Sequence, residues 1–72
     1  MRLSYYKDTN SLYIDLSSRP GVDSLEISEG VVLDYDADGN VVGIDIDNAS
    51  QKVDLSEVSL SKVPVEVGKL TA

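Results

Sequence analysis

Apolar residues recur at every second position in five short runs, and that period constrains the fold more than any other feature of the sequence. Leu3 and Tyr5 form the first run, and Leu12, Ile14 and Leu16 the second. Leu25 and Ile27 follow, then Val31, Leu33 and Tyr35, then Val42, Ile44 and Ile46. Residues two apart share one face of a β-strand, so each run reads as a strand with one apolar side. Gly, Pro, Asn and Asp separate the runs, as turns require. Strands are predicted over residues 2–7, 12–16, 22–28, 31–36 and 41–47, with a short last strand near 63–67. Pro64 marks that last strand as an edge, because proline cannot donate to a ladder. One turn of helix is expected near 48–51, capped by Asn48. The chain reads as one all-β domain over residues 1–72, with a core at 2–47 and an irregular C-terminal arm at 48–70.

Register follows from asking which turn brings apolar residues onto one face. A loop at 8–11 pairs Tyr6 with Tyr13, Tyr5 with Ile14 and Leu3 with Leu16. A loop at 28–30 pairs Leu25 with Leu33 and Ile27 with Val31, with Gly30 at the left-handed position that such a turn demands. A loop at 37–40 pairs Leu33 with Ile44, Val31 with Ile46 and Tyr35 with Val42, and sets Gly43 opposite Asp34. The link at 17–22 contains Arg19, Pro20 and Gly21, and a hairpin there sets Ile14 beside Leu25. The expected architecture is an antiparallel β-meander of about five strands.

A sheet with one apolar face needs a second layer. No segment forms a helix long enough to supply it. The chain has 72 residues and no Cys, so neither disulfides nor thiolate metal sites can reinforce so small a core. A homodimer packed face to face is expected, burying Leu33, Ile44 and Ile46, with C-terminal segments closing the rims.

Charge narrows the function. Thirteen acids against six bases leave a net charge of −7, and His is absent. The bases Arg2, Lys7, Arg19, Lys52, Lys62 and Lys69 are scattered, which disfavours a phosphate-binding patch and hence nucleic acid. Lack of Cys removes thiol nucleophiles and lack of His the usual general base, so no catalysis is expected. No cofactor is expected either. No apolar run is long enough to cross a membrane and no signal peptide is evident, which points to the cytoplasm.

Three features stand out on the polar side. Residues 34–39, Asp-Tyr-Asp-Ala-Asp-Gly, match the start of a calcium loop, with Asp45 at its twelfth position. Strand-like flanks and an Asp where Glu is preferred favour an ordinary hairpin turn, leaving Asp34, Asp36 and Asp38 as an alternative metal set. Asp15, Glu26, Asp34 and Asp45 form an acidic face. Tyr6 and Tyr13 add an aromatic pair to it, so Tyr6, Tyr13, Asp15, Asp34 and Asp45 make the expected patch for a basic protein partner. Gly43, in mid-strand on this face, implies a bulge, packing of Tyr13 or of the C-terminal tail over the gap, or close approach by a partner backbone.

Two stretches, 6–16 and 30–48, resemble a family of small uncharacterised bacterial proteins, a domain of unknown function. Tyr6, Leu12, Tyr13 and Ile14 match its first motif. Gly30, Asp34, Tyr35, Asp36, Gly39, Val42, Gly43 and Ile44 match its second. Asn10 and Ser11 depart from the pattern, as does Asp45 where glutamate is usual. The resemblance spans roughly residues 3–55. It implies no assigned activity, and an antitoxin-like role beside a small toxin-like protein.

Overall fold

In the computed structural model, which describes residues 1–62 and Pro64, five strands form one antiparallel sheet. They are β1 (Arg2–Tyr6), β2 (Ser11–Asp15), β3 (Asp23–Ser28), β4 (Val31–Tyr35) and β5 (Val41–Ile46). A four-residue helix, α1 (Ala49–Lys52), follows. The expected strand over 63–67 lies, Pro64 apart, outside the described residues.

The strand order is β1-β2-β5-β4-β3, which corrects the expected meander. β5 lies between β2 and β4, and β3 is an edge; the last four strands form a Greek key. The link after β2 crosses the end of the β4–β5 hairpin instead of turning tightly. Three strand spacings of ~4.8 Å separate β2 from β3, about 14 Å, and the residues at 16–22 can reach ~23 Å when extended. Hydrogen bonds hold the crossing: Leu16 N donates to Val42 O at 2.9 Å and Val22 N to Tyr35 O at 2.8 Å. The exchange places β5, with buried Val42 and Ile46, among neighbours on both sides.

Registers agree with expectation where a glycine governs the turn. Gly30 has φ 73° and Leu25 faces Leu33, but the ladder bulges between Glu26 and Ser28 and sets Ser28, not Ile27, against Val31. Leu33 faces Ile44, Val31 faces Ile46 and Asp34 faces Gly43, but a second bulge sets Tyr35 against Val41 rather than Val42. The first hairpin is shifted by two residues: Leu3 faces Ile14, Tyr5 faces Leu12 and Tyr6 faces Ser11. Tyr6 and Tyr13 are not opposite one another. The turn closes through Asn10, at φ 53°, whose N–H donates to Lys7 O at 3.4 Å. Asn tolerates that left-handed conformation better than most residues, which moves the turn one residue earlier than expected.

Leu12, Ile46 and Ala49 form the buried cluster, with Ile14, Val31, Ile44 and Val53 against it. Asn48 precedes α1 in a left-handed conformation and makes no side-chain cap. The cap comes from Asn10 instead, whose Oδ1 accepts from Ser50 N at 3.2 Å and whose carbonyl accepts from Ala49 N at 2.9 Å.

One row of aliphatic residues crosses the whole sheet: Leu25, Leu33, Ile44, Ile14 and Leu3 stand opposite one another in turn. Its ends are open. Leu25 is 56% exposed, Ile27 55%, Leu3 45% and Tyr5 47%. Val53, Leu55 and Val58 form one wall of a groove of about 380 Å³ over Leu3, Tyr5 and Leu12.

Candidate functional site

The opposite face carries most of the expected partner-binding residues. β2 and β5 set Tyr13 directly opposite Asp45 and Asp15 opposite Gly43. β4 then places Asp34 on the far side of Gly43. The Tyr13 side chain crosses the glycine, and its Oη donates to Asp34 Oδ2 at 2.9 Å. A Cβ at Gly43 would lie 2.7 Å from Tyr13 Cζ and closer still to its Oη. The close approach implied by a mid-strand glycine is thus the Tyr13 ring. Asp34 Oδ1 accepts from Ser24 Oγ at 2.8 Å, so both carboxylate oxygens are engaged. Ser24 escaped sequence reasoning, because its position relative to Asp34 depends on the β3–β4 register on the polar face.

Electrostatics follow from this crowding. The hydrogen bond to Asp34 pushes the Tyr13 phenol up to about 12, with burial and the charges of Asp34, Asp15 and Asp45 adding to it. Tyr13 is a neutral donor at any physiological pH. Burial raises the Asp45 carboxyl above its ordinary range, helped by Asp47 and Asp34. Tyr6 is exposed on the edge strand opposite Ser11, away from this hydrogen-bonded group. The structure therefore brings Tyr13, Asp15, Asp34 and Asp45 together and leaves Tyr6 at the margin.

The aspartates at 34, 36 and 38 do not converge. Asp36 is buried, and its Oδ1 accepts from Asp38 N and Asn40 N, both at 2.9 Å. Its Oδ2 accepts from Asn40 Nδ2 at 3.3 Å and pairs with Arg19 at 3.2 Å. Asp34, on the polar face, is taken by Tyr13 and Ser24. Among the described residues no group of three or more potential ligands could hold a metal ion. The motif is spent on closing a turn, with Gly39 at φ 84°. Arg19, expected in a tight turn, is carried by the crossover to Asp36.

Thermal melts in chelator, millimolar calcium and matched sodium chloride are expected to coincide. A site filled a hundredfold above its Kd would add ~2.7 kcal/mol, easily seen in so small a domain. A large calcium-specific shift, abolished by Asp36→Asn, would show that the loop binds the ion.

Two carboxylates give stability opposite slopes against pH. Asp36 is held below its ordinary 3.8, first by the Asn40 N–H, against burial, and then by the Asn40 side chain, the Asp38 N–H and Arg19. Its contribution is present above pH 3.8 and is lost as pH falls through its depressed value. Asp45, raised, carries a penalty at neutral pH that is relieved as pH falls through its raised value. Melting temperature should rise from pH 7 toward the upper side of pH 4 and then fall. Asp45→Asn should flatten the rise and spare the fall, as calorimetry over that range can test.

The molecule is a single open Greek-key sheet with one apolar and one acidic face. The chain belongs to the family described as protein of unknown function (DUF2283), whose model matches residues 2–50. No curated protein and no solved structure matches it. No helix among the described residues is long and apolar enough to cross a membrane.

Proposed function

We propose that the chain is a non-catalytic protein-interaction module that acts in the cytoplasm as a homodimer, apolar face against apolar face. The observation that carries this reading is the aliphatic row from Leu25 to Leu3, continuous across five strands and exposed at both ends. Burying apolar surface contributes ~25 cal/mol per Å², and a second copy presents a face of the same shape and chemistry. Dimerisation turns the acidic faces outward. There Tyr13, Asp15, Asp34 and Asp45, with Tyr6 at the margin, offer an anchor and negative charge to a basic partner, in the manner of an antitoxin-like companion.

Sedimentation equilibrium at micromolar concentration tests the assembly. The wild-type chain is expected to run as a dimer. Leu25→Lys, at a side chain open to water in the single chain, is expected to give a folded monomer. A folded wild-type monomer at that concentration would refute the dimer. For the outer face, a basic partner co-purified from the native cell should dissociate in high salt and be lost with Asp45→Asn.

A further inference from the structure

The two edges of the sheet differ in what they leave unpaired. Leu16 N donates to Val42 O, so the even-numbered residues of β2 bond β5. Antiparallel ladders alternate, which turns the odd-numbered residues of β2 toward β1, where they meet Arg2, Ser4 and Tyr6. The N–H and C=O groups of Leu3 and Tyr5 then point away from the sheet, and among the described residues none bonds them. At the other edge, Asp47 N donates to Gly30 O, so even-numbered residues of β4 bond β5 and odd-numbered ones bond β3. Ser24 and Glu26 face outward there. The outward N–H of Ser24 is taken by the Asp23 carboxylate at 2.9 Å, and a bulge follows Glu26. A bulge protects an edge against pairing. β3 has one and β1 has none; the charges at β1 are Arg2 and, just beyond it, Lys7.

We propose that β1 is a docking edge, taking an extended acidic segment of a partner protein as a sixth strand. Added strands gain affinity from main-chain bonds and specificity from alternate side chains. On the apolar side, alternate residues of the incoming segment enter the groove over Leu3 and Tyr5, whose far wall is Val53, Leu55 and Val58. On the polar side Arg2 selects acids, with Lys7 in the turn just beyond the strand; residues 1–7 hold no acid, in a chain of net charge −7. Arg2 stands opposite Asp15, yet among the described residues the ion pair is that of Arg19 with Asp36. A second copy of β1 fits less well, because antiparallel pairing would bring Arg2 near Lys7 of the other chain. The edge adjoins the proposed dimer face and shares Leu3 with it, so its occupancy is read from peptide binding and from the Leu3 and Tyr5 amides, not from oligomeric state.

The test uses the full chain, a labelled short peptide alternating valine with glutamate, and its valine–lysine counterpart. The acidic peptide is expected to bind, to slow amide exchange at Leu3 and Tyr5, and to weaken as salt rises. Leu3→Pro removes an outward N–H while leaving the bonds to β2, and should weaken binding on the order of tenfold or more. Arg2→Gln combined with Lys7→Gln leaves the backbone unaltered, sets no like charge opposite Asp15, and should weaken binding likewise with little change in Tm. Failure of the acidic peptide to bind, or equal binding of both peptides, would overturn the proposal. So would Leu3 and Tyr5 amides already protected in the free protein, which would mean that the edge is filled by residues 63–72 or by a second copy.

Discussion

Replacing Gly43 with alanine is expected to destabilise the fold by about 2 kcal/mol, although the same change in a strand interior ordinarily stabilises by ~0.5–1 kcal/mol. The sign is decided by Tyr13. Its ring lies over the glycine, and the new methyl group would occupy the space of its hydroxyl and Cζ. The ring must swing away and break its hydrogen bond to Asp34, whose carboxylate sits among Asp15, Gly43 and Ser24. Urea unfolding of a short series separates the contributions. Tyr13→Phe alone should cost ~1 kcal/mol for the lost bond. Tyr13→Ser should make the alanine tolerable, so that the double variant is more stable than the summed single effects predict, by on the order of 1 kcal/mol or more. Additive effects would show that the ring and the glycine are not coupled.

Gly43 was legible as a special position because a glycine interrupts a strand there, but the pattern left a bulge, the Tyr13 ring, the tail and a partner backbone all open. The five strands and their faces were legible because alternation places each side chain on one face or the other. Alternation does not name partners. A slip of two residues leaves every face unchanged, so pairing Tyr5 with Ile14 or with Leu12 gives the same apolar side. Only the left-handed Asn10 distinguishes them. The strand order was hidden by the same degeneracy. Setting Ile14 beside Leu25 or beside Ile44 satisfies the pattern equally, and the link through Arg19, Pro20 and Gly21 is long enough for either path. What selects the crossover is the ion pair of Arg19 with Asp36 and the bonds from Leu16 and Val22, contacts between segments far apart in the chain. The aspartates at 34 and 36 illustrate the converse, a local motif whose two ends serve different neighbours.

Asn10 is where those distant contacts concentrate, and Asn10→Ala is expected to cost about 2–3 kcal/mol, on the order of 10–20 °C in Tm. Part of the loss is conformational, because alanine at φ 53° is strained by ~1 kcal/mol. The rest is contact. The Asn10 side chain accepts from Tyr5 Oη at 2.9 Å and Ser50 N at 3.2 Å, and donates to Ser50 Oγ at 2.9 Å. Those bonds fix α1 to the first turn, and α1 carries Ala49, 0% exposed, into the cluster with Leu12 and Ile46. Two further variants divide the cost. Asn10→Gly relieves the strain and loses the side-chain bonds, so it should recover ~1 kcal/mol of the alanine loss. Asn10→Asp keeps both acceptor contacts and reverses the third bond, its second oxygen accepting from the Ser50 hydroxyl, so it should stay within ~1 kcal/mol of wild type. Amide exchange adds a spatial readout: with alanine or glycine at position 10, the Val53 N–H, bonded to Ala49 O at 2.9 Å, should lose protection before the β4–β5 ladder does. Equal losses across the sheet would mean that helix and strands unfold as one unit, with Asn10 merely a turn residue. A local loss would establish it as the tie that holds the C-terminal wall of the groove against β1 and β2.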